Sequence, residues 1–153
     1  MHTMVTASFR VLSAAPPEAA AHYMLDYTNL PRWDPGALSV TPPFPTGDPR
    51  CFKLTLARWP SLVMSYSARM EGDRVLEMRA QNEDGSVTTS ERIVVEQRRG
   101  GCTVTYQLRM WLRGGRWLAW PLIWVLMQME ARRAAVGCAR ALRALEPPRK
   151  LRV

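Results

Sequence analysis

The stretch VTTSERIVVEQRRGGCTVTYQLRMWL, residues 87–112, decides the architecture. Two runs rich in β-branched and aromatic residues flank Arg98-Arg99-Gly100-Gly101, a turn whose paired glycines tolerate positive φ. The segment reads as an antiparallel hairpin with strands near Val87 to Gln97 and Cys102 to Leu112. Pairing Gln97 with Cys102 sets Val95 against Val104, Ile93 against Tyr106, Glu91 against Leu108 and Thr89 against Met110. The apolar alternation of both strands then falls on one face, and Glu91, the single clear violation, falls there too. A carboxylate on an apolar face is costly unless it is paired or hydrogen-bonded, and burial raises its pKa toward a range useful for proton transfer. A competing reading has a bulge turn Glu91 outward to Arg92 or Arg109, or buries it in a structural salt bridge.

Upstream, the segment before this hairpin should bring Ala80, Met78 and Leu76 alongside Val87, Thr89 and Glu91, with Tyr66 beside Met78. Further strands are expected near Ala37 to Thr41, Cys51 to Ala57, Leu62 to Met70 and Arg74 to Gln81. Their links, Trp59-Pro60, Glu71-Gly72-Asp73 and Glu83-Asp84-Gly85, carry turn chemistry and are short enough to make the strands an antiparallel meander. Before it, Val5, Ala7, Phe9 and Val11 alternate with polar residues as in a half-buried strand, followed by short helices over about Pro17 to Asp26 and Asn29 to Trp33. Asp34-Pro35-Gly36 ends the second of these.

After Gly114-Gly115 the period becomes helical. Trp120, Trp124, Met127, Ala131, Ala135, Cys138, Leu142 and Leu145 step by three and four, an apolar stripe on a helix of about 26 residues, opposite Glu130, Arg132, Arg133, Arg140 and Arg143. Pro121 suits its first turn and Pro147-Pro148 its end. The expected organisation is one α+β domain over residues 1–146 with a basic tail at 147–153.

Composition narrows the function. The net charge of +8 raises anionic partners, but Lys53 and Lys150 are the only lysines, the arginines are dispersed as in a GC-rich genome, and no nucleic-acid-binding motif accompanies them. Nucleic acid is therefore not an expected partner. Cys51, Cys102 and Cys138 form neither a CxxC pair nor an even framework, and the N-terminus lacks a secretory pattern, which together suggest a cytoplasmic protein. His2 and His22 are too few for a histidine metal site or a hydrolytic triad, and no phosphate-cradling glycine loop occurs, so neither metal nor cofactor is expected.

The order of strand, two short helices, six-stranded meander and long C-terminal helix resembles the helix-grip fold of the START-like superfamily, also called SRPBCC. The resemblance is carried by Leu25-Asp26-Tyr27-Thr28-Asn29-Leu30-Pro31-Arg32-Trp33-Asp34-Pro35-Gly36 and by Gly101-Cys102-Thr103-Val104-Thr105-Tyr106, and within the superfamily it is greatest to polyketide cyclase/dehydrase and lipid-transport domains. It implies an apolar cavity between a curved sheet and the long helix, holding a lipid, isoprenoid or polyketide. The faces worked out above put Trp33, Tyr66, Met78, Thr89, Ile93, Leu108, Met110, Trp120, Trp124 and Met127 around it as ligand-binding candidates, with Glu91 and Tyr106 as the catalytic pair if the domain is a polyketide cyclase or dehydratase. Tyr66 and Tyr106 then either bind a ligand oxygen or orient Glu91. For Trp33 the plain alternative is a core residue.

The run Trp117 to Met127 is apolar around its whole circumference, and the apolar stretch to Met129 is too short to span a bilayer. Three accounts of it stand: enclosure by the cavity, the sheet edge and the short helices; a homodimer contact; or a peripheral membrane contact at the cavity entrance.

Overall fold

The computed structural model describes residues 3–41, 50–56 and 62–148. Ala57, Trp59-Pro60, His2 and the tail from Arg149, all read above from sequence, lie outside the described residues, as do the side chains of 115–117. The chain runs β1 (Thr3–Ser13), α1 (Pro17–Met24), a 3-10 turn (Tyr27–Asn29), α2 (Leu30–Trp33), β2 (Ala37–Thr41), β3 (Cys51–Leu56), β4 (Leu62–Glu71), β5 (Val75–Asn82), β6 (Val87–Arg98) and β7 (Gly101–Leu112). A second 3-10 turn (Gly114–Ala119) then leads into α3 (Trp120–Arg143).

The strands form one antiparallel sheet in the order β1-β7-β6-β5-β4-β3-β2. This is the helix-grip arrangement: a meander whose last strand also pairs with the first, curled into a half-barrel against α3. The β6–β7 register is the one the Gly100-Gly101 turn dictates, with Gln97 opposite Cys102 and Glu91 opposite Leu108. Gly101 has φ of +155°, and a Cβ there would overlap the carbonyl oxygen of Ser13, so the start of β7 can abut the end of β1 only without a side chain.

The expected β5–β6 pairing is two residues out. Ala80 lies opposite Thr89, Met78 opposite Glu91 and Leu76 opposite Ile93, while Tyr66 lies beside Ala80 rather than Met78. Asn82 explains the slip. Its Oδ1 accepts from the Val87 N–H (2.9 Å) and its Nδ2 donates to Asp84 and Ser86, so the loop closes at 82 and 87 around four intervening residues. A two-residue slip preserves the side-chain face, and the same residues still point inward.

α3 has 24 residues and buries Met127, Ala131, Ala134, Cys138 and Leu142. Gly137 meets α2 so closely that a Cβ would overlap the carbonyl oxygen of Trp33. The stripe stops being covered at its N-terminal end: Trp120 is 39% and Trp124 45% exposed. Gln128 Nε2 donates to the Thr6 carbonyl, and Glu146 Oε1 accepts from Ser13 Oγ, so helix and strand run side by side. From Thr6 to Thr3 is about 10 Å of strand and from Gln128 to Trp120 about 12 Å of helix, so the first turns reach the level where β1 ends. Leu118, Leu122, Val125 and Met129 are also exposed, which overturns the enclosure account of this run.

Candidate functional site

Glu91 sits in the middle of β6 with its side chain buried, and no bulge interrupts β6 against either neighbour. The outward-turned reading therefore fails, and Arg92, on the opposite face, pairs with Glu71 and Glu77 instead. Tyr66 on β4 donates its hydroxyl to Glu91 Oε1 (2.6 Å), and Tyr106 on β7 donates to Oε2 (2.8 Å). Strand geometry puts both within reach. Tyr106 is the diagonal neighbour of Glu91 across β6–β7, and Tyr66 reaches over small Ala80 on the intervening β5.

Aromatic pairs hold the two tyrosines. Phe52, opposite Tyr66, stacks on it at 5.0 Å and on Tyr27 at 4.1 Å. Phe9, opposite Tyr106, stacks on it at 5.1 Å, and Trp33 meets both rings edge-on at 6.3 Å. Stacked and edge-to-face pairs of this kind restrict ring rotation and so fix where each hydroxyl points.

Burial, which strips water from the carboxylate, raises the Glu91 pKa; the hydroxyls of Tyr66 and Tyr106, and to a smaller degree Thr89, oppose the rise. Both tyrosines are pushed well above the ordinary phenol value, by burial first and then by the Glu91 charge, so they remain protonated donors. Asp34, at the end of α2, joins this electrostatic group although sequence reading took it only for a helix stop. Burial lifts its pKa to about 6, with Glu91 and Glu130 adding to the rise and the Gly36 N–H, 2.8 Å from Oδ1, opposing it. The only hint in the sequence was an acid directly after the tryptophan that wedges against α3.

One further polar atom, Trp33 Nε1, is buried without a hydrogen-bond partner among the described residues, while Thr89 is buried with its hydroxyl beside Glu91 and Tyr66. Of the remaining sequence candidates, Met78 and Ile93 are buried around Glu91 and Met127 is buried on α3, whereas Leu108 and Met110 are half-buried on the inner face. Trp120 and Trp124 stand apart at the exposed end of the helix. A separate groove of about 510 Å³ opens between α2 and α3, lined by Arg32, Arg132, Arg133 and Arg140 around Pro31, Pro35, Val136 and Gly137, with Trp33 as its back wall.

Residues 4–145 match the family described as polyketide cyclase / dehydrase and lipid transport. No curated protein sequence matches the chain. Among solved structures, a START superfamily protein from Mycobacterium smegmatis superposes with a TM-score of 0.66 at 15% identity, over 95% of this chain and 99% of that one. XoxI from Bacillus cereus gives 0.64 at 16% identity, over 94% and 97% of the two chains. The di-domain ARO/CYC StfQ from the steffimycin biosynthetic pathway gives 0.64 at 10% identity, over 93% of this chain and 50% of its own length. At such identities the superpositions establish shared fold.

Proposed function

Since the chain belongs to the polyketide cyclase / dehydrase and lipid transport family, we propose that it binds a hydrophobic small molecule bearing at least one carbonyl or hydroxyl on the concave face of the sheet beneath α3. The carrying observation is the Tyr66–Glu91–Tyr106 cluster, a hydrogen-bonded polar centre among buried apolar side chains. Partial exposure of the inward residues Phe9, Leu108 and Met110 supports solvent access to that face. The unpartnered Trp33 N–H supports it too, because a ligand oxygen answering it recovers about 1–3 kcal/mol of desolvation cost.

The same cluster favours a second reading, a cofactor-independent cyclase or dehydratase. A substrate carbonyl that takes the hydroxyl of Tyr66 or Tyr106 frees one oxygen of Glu91. The carboxylate then removes a proton from the adjacent carbon while the tyrosine stabilises the enolate oxygen. A carboxylate with a raised pKa is the stronger base for that step.

Native mass spectrometry of freshly purified protein, followed by solvent extraction, tests the binding reading. A stoichiometric hydrophobic adduct, diminished in Glu91→Gln, is the expected result. Failure of both the native chain and the variant to retain an adduct or to take up a panel of polyketide and prenyl compounds would sink it.

A further inference from the structure

The outer face of α3 carries residues that the inner site does not use. Leu122, Val125, Met129, Arg132, Val136 and Arg140 recur at steps of three and four, one stripe at 100° per residue, on the side away from buried Met127, Ala131 and Cys138. The aliphatic members are exposed, Leu122 at 63% and Val136 at 61%. Arg132 and Arg140 are exposed and have no ion pair among the described residues. Glu130, the one acid on α3, lies off this stripe and pairs with Arg133 at 3.1 Å. At its C-terminal half the stripe runs into the arginine-lined groove between α2 and α3.

We propose that this face docks on an anionic phospholipid bilayer, with the aliphatic turns at the boundary between headgroups and acyl chains and a lipid phosphate in the arginine groove. A helix that lies in the plane of a membrane needs aliphatic residues and cations together on one exposed face, and α3 has both in series. The guanidinium fork matches phosphate oxygens in pairs. A second copy of the chain fits less well. It would set Arg132 and Arg140 against each other or against aliphatic side chains, with no acid on the stripe to answer them.

Co-sedimentation of the full chain with phosphatidylglycerol-containing vesicles, against pure phosphatidylcholine vesicles, tests this independently of what the inner face holds. Binding is expected to the anionic vesicles alone and to weaken with added salt. The double variant Arg132→Gln, Arg140→Gln should lower the partition coefficient about 25-fold, about fivefold for each cation brought to an anionic surface. Leu122→Ser with Val125→Ser should lower it as well, with unchanged thermal melting in both cases because all four positions are exposed. Equal binding to phosphatidylcholine, indifference to the arginine variant, uptake of inorganic phosphate without any vesicle binding, or a dimer that the serine variant breaks without any vesicle binding would each overturn the proposal.

Discussion

Asp34→Asn isolates the cost of keeping a carboxylate beside two others inside the fold. Asp34 titrates at about 6 rather than 3.8, first because burial removes its water and then because Glu91 and Glu130 repel its charge. The folded chain thus retains a proton that the unfolded chain gives up, so the stability this contributes is complete below about pH 4 and lost as the pH climbs to about 6. The rise corresponds to about 3 kcal/mol at 1.36 kcal/mol per pKa unit. Asparagine keeps the Oδ1 acceptor for the Gly36 N–H and removes the titration. At about pH 7.5 the variant should therefore exceed the native chain by up to about 3 kcal/mol, or about 6–12 °C in Tm for a domain of this size, and near pH 4 by less than about 1 kcal/mol. Urea unfolding followed by tryptophan fluorescence across that range measures both curves. Parallel pH profiles, or a variant less stable than the native chain at neutral pH, would refute the argument.

Other outcomes follow from the same contacts. Glu91→Ala strands the hydroxyls of Tyr66 and Tyr106, for a loss of about 2–6 kcal/mol in urea unfolding, whereas Glu91→Gln stays within about 1 kcal/mol of the native chain at neutral pH; equal losses would mean the hydrogen bonds do not set the cost. Gly137→Ala forces α3 away from the Trp33 carbonyl, which should cost about 1–3 kcal/mol and alter the near-ultraviolet dichroism of the Trp33, Phe9 and Tyr106 rings; an unchanged spectrum and melting curve would show that the contact is slack. Maleimide should modify exposed Cys51 alone in the native state and all three cysteines in urea, since Cys102 and Cys138 are buried and burial pushes the Cys138 thiol up to about 12; rapid native labelling of a second thiol would contradict this.

Strand parity explains what could be read in advance. Gly100-Gly101 fixes the β6–β7 register, and a lone acid among Thr89, Ile93 and Val95 announces itself as Glu91 because alternation leaves it nowhere else to point. The β5–β6 register escaped because it depends on the Asn82 side chain closing the loop, a contact with no periodic signature. Asp34 escaped for a related reason: its environment is made by Glu130, far along the chain, and by Glu91, and nothing local to Asp34-Pro35-Gly36 reports them. Trp120 and Trp124 show the converse, since helical period identifies a face but not whether any strand extends far enough to cover it.

The pairing of β1 with β7, Thr3 opposite Leu112 and Ser13 opposite Cys102, also has a temporal side. About a hundred residues separate these partners, so during translation β1 leaves the ribosome about 5–20 s before the strand it must join. The hairpins from β2 to β6 can zip as they emerge, because their contacts are local. Val5 and Val11, by contrast, have no sheet to enter until Leu112 is out and no helix to cover them until α3 follows. Closure of the domain is therefore a late, concerted event in the life of the nascent chain, and the first strand made is among the last to find its place.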